Sequence, residues 1–187
     1  MPRHPSLLAR DRAVLLLIDF QESYRRVLGD WDAVLGRASV LLRGCRLLDV
    51  PVLVTEQYPK GLGATAREVA DHLPAGCAIV EKSSLSCLGS TVFAEALARL
   101  ARSQVVIAGI EAHACVAQTV HDLIAAGFQV HLARDATASR RPADLEPGWS
   151  RMVAAGMLPT TVEGALLDLV RTAEAPEFRT LQALLRE

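Results

Sequence analysis

Short, uninterrupted apolar runs constrain the fold of this chain more than any other feature. The first run, Ala-Val-Leu-Leu-Leu-Ile at residues 13–18, ends at Asp19. A strand that is apolar at every position is typical of a parallel sheet that is covered on both faces. Similar runs predict four further strands, and a weaker pattern predicts a sixth, at residues 52–55, 78–80, 105–108, 128–133 and 157–161.

Helical patterns separate these strands. The helix predicted over residues 31–48 follows Asp30, which is a favourable N-cap residue, and a capping box at residues 65–68 predicts the start of a short helix. Residues 56–64 contain one proline and two glycines and are predicted to form a loop. The other helices are predicted over residues 91–102, 112–126, 149–155, 163–171 and 176–186.

This alternation predicts an α/β fold, a three-layer α/β/α sandwich built on a doubly wound parallel six-stranded sheet. For the strand order we adopt 3-2-1-4-5-6, which is common in such sheets. A chain of 187 residues that is 51% hydrophobic can bury one full core. We therefore expect a single domain over residues 1–187, with its core at about 10–175 and a C-terminal helix at 176–186.

Composition argues against several classes of protein. The formal net charge of -1 gives no footprint for nucleic-acid binding. No apolar run approaches the roughly 18 residues of a membrane span, and no signal-peptide pattern precedes the first strand, so a cytoplasmic location is expected. The four cysteines form no C-x-x-C pair, and motifs for dinucleotides, P-loop phosphates or H-E-x-x-H metals are missing from the sequence.

The predicted crevice is the place where chemistry is expected. In such sheets ligands bind at the carboxyl ends of the strands where the strand order reverses, here between strands one and four. Asp19 ends strand one, and Cys115 follows strand four at the start of a helix. Free N–H groups at a helix start favour a thiolate and can also hold an oxyanion. On position alone, Cys115 as a buried core residue and Asp19 as a helix cap remain open alternatives.

Two other residues attract attention for different reasons. Lys82 is one of only two lysines among 20 basic residues, and it has an amine that can lose its proton, as arginine cannot. Strand three lies away from the crevice in this order, however, so position alone does not bring Lys82 to Cys115. His113 is two residues before Cys115, and side chains with that spacing do not face each other on a helix. A structural or substrate-lining role is therefore favoured for His113.

Four motifs together resemble the isochorismatase-like cysteine hydrolases, a family that includes nicotinamidases, N-carbamoylsarcosine amidases and isochorismatases. They are Leu-Leu-Ile-Asp-Phe-Gln at residues 16–21, Val-Thr-Glu-Gln-Tyr-Pro-Lys-Gly-Leu-Gly at 54–63, Glu-Lys-Ser-Ser at 81–84 and Ala-Gly-Ile-Glu-Ala-His-Ala-Cys-Val at 108–116. The resemblance covers about residues 10–175 and is greatest to the branch of isochorismatase domain-containing proteins.

The resemblance implies a catalytic triad of Asp19, Lys82 and Cys115. Cys115 would be the nucleophile, Asp19 the general base, and Lys82 the cation that keeps Asp19 ionised and favours the thiolate. It also implies a cis peptide bond between Ile110 and Glu111, which would direct the N–H groups of Glu111 and Cys115 at an oxyanion. The residues that we expect to line the substrate are Phe20, Gln57, Tyr58 and His113.

Departures from the family pattern sharpen the expected function. Metal-dependent nicotinamidases carry a D-x-H pattern after strand two, where this chain has Thr-Glu-Gln-Tyr at 55–58, so neither a catalytic metal nor another cofactor is expected. Isochorismatases that cleave a vinyl ether lack the cysteine. The leading hypothesis is a cofactor-free cysteine hydrolase that cleaves a small amide, imide or related C–N bond through a thioester. The alternatives are an isochorismatase-type vinyl-ether hydrolase and a non-catalytic binding or scaffold protein.

The expected partners are a small-molecule substrate and further copies of the chain, without nucleic acid or membrane. The mean hydropathy of +0.25 predicts a homo-oligomer, a dimer or larger. The segment 142–185 is expected to contribute, because Phe178, Leu181, Leu184 and Leu185 form an apolar stripe at helical spacing. The alternative is that this stripe packs back on the sheet of its own chain.

Overall fold

The computed structural model describes residues 3–187 and contains one six-stranded sheet in which all strands are parallel. The strand order β3-β2-β1-β4-β5-β6 confirms the predicted order and the doubly wound α/β fold. The strands are β1 Ala13–Ile18, β2 Val52–Gln57, β3 Ile79–Lys82, β4 Gln104–Ile110, β5 Gln129–Ala138 and β6 Leu158–Thr160.

Helices cover both faces of the sheet. The α-helices are α1 Trp31–Leu47, α2 Pro59–Leu62, α3 Arg67–Ala70, α4 Thr91–Arg99, α5 Ala117–Ala125, α6 Pro142–Ala154, α7 Val162–Val170 and α8 Phe178–Leu184. Short 3-10 turns lie at Glu22–Arg26 and Cys87–Gly89, and a π-helical turn at Ala112–Val116 leads into α5. Within residues 3–187, no helix has the length and apolarity needed to cross a membrane.

The two faces of the sheet bury separate apolar cores, which explains why the strands are apolar throughout. Along β1, Leu15 and Leu17 face a core shared with α1, α7 and α8, whereas Leu16 and Ile18 face a core shared with α4 and α5. Every residue of β1 and β4 is buried. These two central strands therefore form a rigid support for the residues that follow them.

Strands β2 and β3 extend further than the sequence pattern predicts. Glu56 and Gln57 belong to β2, although they were expected in a loop, and α2 occupies part of that loop. Lys82 is the last residue of β3 and pairs in register with Gln57. The added ladder positions are polar, so an apolar run could not reveal them. The side chains of Glu56, Gln57 and Lys82 form hydrogen bonds at the end of the sheet, and that of Glu81 is exposed.

The capping box predicted at residues 65–68 is not formed. The Thr65 hydroxyl donates to Glu56 Oε1 at 2.7 Å, and the Thr65 backbone N–H donates to the same oxygen at 2.6 Å. Helix α3 begins at Arg67 without a side-chain cap. The Thr65 hydroxyl, which the capping box predicted to cap the helix, is therefore hydrogen-bonded to the buried Glu56 carboxylate. This contact holds the segment before α3 against β2.

The C-terminal stripe packs on its own chain. Leu181 and Leu184 of α8 are buried in the core that contains α1, and Phe178 and Leu185 pack against the same core. The stripe therefore has the alternative arrangement, in which it packs within its own chain. The contribution of the segment 142–185 to an oligomer stays a prediction.

Candidate active site

Asp19 lies immediately beyond β1 and is completely buried. Its backbone has φ of +57°, a left-handed conformation that asparagine and aspartate tolerate better than other side chains. Oδ1 accepts a hydrogen bond from the Thr55 hydroxyl at 2.7 Å, and Oδ2 accepts one from Lys82 Nζ at 2.8 Å. Because each oxygen has its own donor, the carboxylate is held in a single orientation.

Lys82 reaches Asp19 from a strand that is not its neighbour. Strands β3 and β1 are two places apart, about 10 Å in a regular sheet, and the lysine side chain passes the end of β2. Its ammonium also donates to Gln57 Oε1 at 2.7 Å and to the Leu85 carbonyl at 3.2 Å, and its side chain has no exposed surface. Strand order alone suggested that Lys82 lies too far away. The long lysine side chain spans this separation, because the carboxyl ends of β3, β2 and β1 lie at the same edge of the sheet.

Cys115 lies in the π-helical turn between β4 and α5 and is only 4% exposed. Gly109 allows this approach: a Cβ atom there would lie 2.7 Å from Ile18 Cβ and 3.0 Å from the Ile18 carbonyl oxygen. Only glycine therefore lets the end of β4 lie this close to the end of β1. As a result, the end of β4, which leads into the turn that carries Cys115, lies next to Ile18, and Ile18 directly precedes Asp19.

Cys115 is a thiol at neutral pH. Burial, and after it the negative charge of Asp19, raise the pKa of Cys115 to about 12, and the charge of Lys82 only partly opposes this. The expectation that the helix start lowers this pKa is wrong, because desolvation penalises the thiolate and Lys82 is already paired with Asp19. Asp19 is the carboxylate whose charge and side-chain hydrogen bond raise this pKa.

Gln57 connects two members of this cluster. Its Oε1 accepts from Lys82 Nζ and lies 3.9 Å from Cys115 Sγ, while its Nε2 donates to the Ser83 carbonyl at 2.9 Å. Its backbone N–H donates to the buried Gln21 side chain at 2.8 Å. Gln57 was expected to line the substrate. Both ends of its amide are hydrogen-bonded, so it holds Lys82 and lies next to the thiol; its contact with a substrate stays a prediction.

The other expected lining residues lie in different surroundings. Phe20 is 1% exposed and belongs to the core beneath α1, so its side chain contributes to packing rather than to the crevice surface. Tyr58 is 59% exposed, beyond the end of β2. His113 is half-buried, and its Nδ1 lies 3.0 Å from Ser139 Oγ. Within residues 3–187, none of these three side chains forms a hydrogen bond with the side chain of Asp19, Lys82 or Cys115.

The peptide bond between Ile110 and Glu111 is cis. The Glu111 carbonyl accepts from the N–H groups of Ala114 and Val116, which fixes the turn around Cys115. The Glu111 N–H has no hydrogen-bond acceptor within residues 3–187. An unpaired N–H beside the thiol is the kind of donor that stabilises an oxyanion.

Thr55 is the residue that sequence reasoning overlooked. It is fully buried, pairs in register with Ile18, and donates to the carboxylate that follows Ile18. The signal was present: a hydroxyl at the end of an apolar run, on the strand that neighbours Asp19. Within residues 3–187, no group of three or more His, Cys, Asp or Glu side chains has a geometry suited to a metal ion.

The fold and the site together define an isochorismatase-like α/β protein, with features consistent with a hydrolase. The Isochorismatase domain model matches residues 13–164, and the chain belongs to this family. Isochorismatase domain-containing protein 2 of Danio rerio is 39% identical over 178 residues, covering 95% of this chain and 89% of that protein. The Homo sapiens protein of the same name is 37% identical over 175 residues, covering 94% of this chain and 83% of that one.

Solved structures agree with this assignment. The MAR1 ribonuclease of Caenorhabditis elegans superimposes with a TM-score of 0.92 at 31% identity, covering 97% of this chain and 93% of that one. The YcaC gene product of Escherichia coli, described as an octameric hydrolase of unknown specificity, gives a TM-score of 0.86 at 20% identity, over 99% of this chain and 98% of that one. At that identity the second comparison concerns the fold alone.

Proposed function

We propose that this protein is a cofactor-free cysteine hydrolase that cleaves a small amide, imide or related C–N bond through a thioester. The observation that carries the proposal is the Asp19 carboxylate, held between Lys82 and Thr55 beside the protonated thiol of Cys115. A buried base, a cation that stabilises it and a thiol that needs deprotonation form a complete set for nucleophilic catalysis.

Acylation follows from this geometry. Asp19 takes the proton from Cys115 as Sγ attacks the carbonyl carbon, and the N–H groups of Glu111 and Cys115 stabilise the oxygen that becomes negative. Lys82 stays paired with the remaining Asp19 oxygen and limits the cost of moving charge in a buried site. When the tetrahedral intermediate collapses, the C–N bond breaks and Asp19 returns the proton to the departing nitrogen.

Deacylation reverses the proton transfers. Water replaces the amine, Asp19 accepts one of its protons, and the resulting hydroxide attacks the thioester carbonyl carbon. The C–S bond breaks, the carboxylic acid product leaves, and Asp19 protonates the Cys115 sulfur. The raised pKa of Cys115 suits this last step, because the thiol is the stable resting form.

The names of the relatives suggest two other reactions. A vinyl-ether hydrolase would not need the Cys115 thiol. Cleavage of RNA, suggested by the MAR1 ribonuclease, would be helped by a positive surface along the phosphates, whereas this chain has a net charge of -1. Both reactions serve as comparison assays rather than as leading hypotheses.

The decisive experiment is a panel of small amides, imides and ureides assayed for ammonia or amine release. Cys115→Ala and Asp19→Asn are expected to lose at least 1,000-fold in kcat, on the order of general-base and covalent catalysis combined. Cys77→Ala is the matched control, since Cys77 is a free, partly buried thiol outside the site. Mass spectrometry of quenched reactions should detect an acyl group on Cys115.

The outcomes separate the alternatives. Near wild-type turnover by Cys115→Ala on an amide would overturn the nucleophile assignment. Cleavage of isochorismate, or of RNA, by Cys115→Ala at the wild-type rate would favour the corresponding reaction. A wild-type protein that forms no acyl-enzyme and turns over no member of the panel would favour a binding or scaffold protein.

We further propose that the protein is a cytoplasmic homo-oligomer. The four cysteines are free, which suits a reducing compartment. Strand β3 is at the edge of the sheet, and the segment from β3 to the start of α4 exposes Ile79, Leu85 and Val92 by 37%, 44% and 60%. An apolar edge of this kind is a surface that a second copy could cover.

A further inference from the structure

Glu111 carries a carboxylate that the proposed mechanism does not use. Its side chain is 7% exposed and directly follows β4, in the same loop as the thiol. Oε1 accepts a hydrogen bond from the Arg140 backbone N–H at 2.9 Å and lies 3.5 Å from Arg140 Nε. The side chain is therefore fixed by one oxygen only.

The second oxygen, Oε2, is open. No donor within residues 3–187 forms a hydrogen bond with it. Among the described residues, only Ser23 Oγ and Trp31 Nε1 are both fully buried and without a hydrogen-bond partner. Oε2 has no partner and is not one of these two atoms, so it is not fully buried. This oxygen belongs to a side chain that is more than nine-tenths buried, and it still has surface that a hydrogen-bond donor can reach.

Glu111 and Cys115 belong to one closed turn. The Glu111 carbonyl accepts hydrogen bonds from the N–H groups of Ala114 and Val116, the residues on either side of Cys115. Tyr24, in the turn Glu22–Arg26, is half-buried, and its pKa is raised first by burial and then by the negative charge of Glu111. Among the described residues, Lys82 is already paired with Asp19, and Arg140, which forms an ion pair with Glu111, has a side chain that is 57% exposed to solvent.

We propose that Glu111 is a specificity-determining residue for the cysteine hydrolase proposed above, on which this inference rests. Oε2 accepts a hydrogen bond from an N–H group of the substrate next to the scissile carbonyl. The favoured substrates are amides that carry an amino or ureido group at that position. Those that carry a carboxylate there are disfavoured, because it has no proton to donate and would be repelled by Glu111 and Asp19.

Charged thiol reagents test this without a known substrate. We would compare rates of Cys115 labelling by cationic 2-aminoethyl methanethiosulfonate and anionic 2-sulfonatoethyl methanethiosulfonate, each divided by its rate with glutathione. In each reaction the Cys115 sulfur forms a disulfide with the reagent, methanesulfinate leaves, and the thiol proton goes to solvent. We expect Cys115 to react about tenfold faster with the cationic reagent than with the anionic one, because the negative charge of Glu111 attracts the first and repels the second.

Glu111→Gln should reduce this ratio to nearly one. It keeps the shape of the side chain, and its amide oxygen can still accept from the Arg140 N–H. Glu81→Gln removes the same charge from an exposed position on β3 and should leave the ratio unchanged. Labelling at Cys77, mapped in the same digests, provides an internal reference for each reagent.

The outcomes distinguish this inference from the proposed function. If Cys115 is labelled but the charge ratio is the same in wild type and Glu111→Gln, the role of Glu111 is overturned and the nucleophile proposal stands. If neither reagent labels Cys115, both are overturned. Once a substrate is found, Glu111→Gln should lower kcat/KM for amino-substituted amides and raise it for their carboxylate analogues.

Discussion

Lys82 Nζ lies 2.8 Å from Asp19 Oδ2, and neither side chain has any exposed surface. A buried pair of this kind stabilises the fold only while both charges are present, because removal of one leaves the other unpaired in a medium of low dielectric constant. The cluster is therefore both the proposed catalytic centre and a constraint on folding. This dual character determines which variants can be interpreted.

Removing one charge of this pair should destabilise the protein. We expect Lys82→Met and Asp19→Asn each to lower the free energy of unfolding, by about 3–5 kcal/mol for Lys82→Met. The double variant should recover most of this loss, since it leaves no uncompensated charge. Urea denaturation of the four proteins measures the coupling, and additive losses in the double variant would contradict it.

Thr55 should act as a positioning residue. Thr55→Val keeps the shape but removes the donor to Asp19 Oδ1, a bond to a charged group that contributes about 1.5–3 kcal/mol. We expect kcat to fall about tenfold with little change in KM, because the carboxylate loses the donor that orients it. Thr55→Ser should restore kcat, whereas a wild-type kcat in Thr55→Val would argue for a purely structural role.

The thiol of Cys115 should react increasingly fast as pH rises. Its pKa is raised to about 12 by burial and by Asp19, so the thiolate fraction grows about tenfold per pH unit up to that value. Alkylation by iodoacetamide, followed on the Cys115 peptide by mass spectrometry, should therefore still accelerate between pH 9 and about 10.5. Alkylation that levels off below pH 9 would show that the resting form is a thiolate.

His131 should make the protein less stable in acid. It is buried on β5, and desolvation lowers its pKa from 6.5 to about 4. Between these values the unfolded chain binds more protons than the folded chain, so the free energy of unfolding falls as pH decreases from about 6.5 toward 4. The loss attributable to this group is about 3 kcal/mol at most. In urea titrations across this range, His131→Gln should show a shallower slope than wild type, and exposed His4→Gln should not.

The proposed oligomer gives a prediction about mass. Light scattering at micromolar concentration should give a multiple of 20.1 kDa. Val92→Glu, which places a charge on the exposed segment after β3, should shift the distribution toward the monomer without unfolding it. A wild-type mass near 20.1 kDa with full activity would show that the monomer is sufficient.

The arrangement of the sheet could be predicted because it depends on one-dimensional patterns. Apolar runs such as residues 13–18 give the strands, and the helices between them require parallel crossovers. The polar ends of β2 and β3 could not be predicted in this way. Gln57 and Lys82 are paired at the end of the ladder, and the Lys82 ammonium donates to the Gln57 side chain. This contact depends on the register of the two strands, which residue composition does not reveal.

The chemistry of the site was less predictable than its position. Asp19 and Cys115 were placed at the crevice by the strand ends that precede them, whereas the family resemblance, not the spacing, supplied Lys82. The pKa of Cys115 was predicted to be lowered, whereas it is raised. The prediction used the helix start, which is a local feature, but the largest cause is burial, which depends on the whole core. Thr55 was missed because its partner lies 36 residues away.

Gly109 determines how closely the ends of β1 and β4 approach each other. A single methyl group at this position would need the space that Ile18 already occupies, so β1 and β4 would have to move apart at the end that carries the site. Such a shift would carry Asp19 away from Cys115 while leaving every polar residue of the cluster intact. The distance between the proposed base and the proposed nucleophile thus depends on the absence of an atom, and a search for inactive variants limited to these side chains would overlook it.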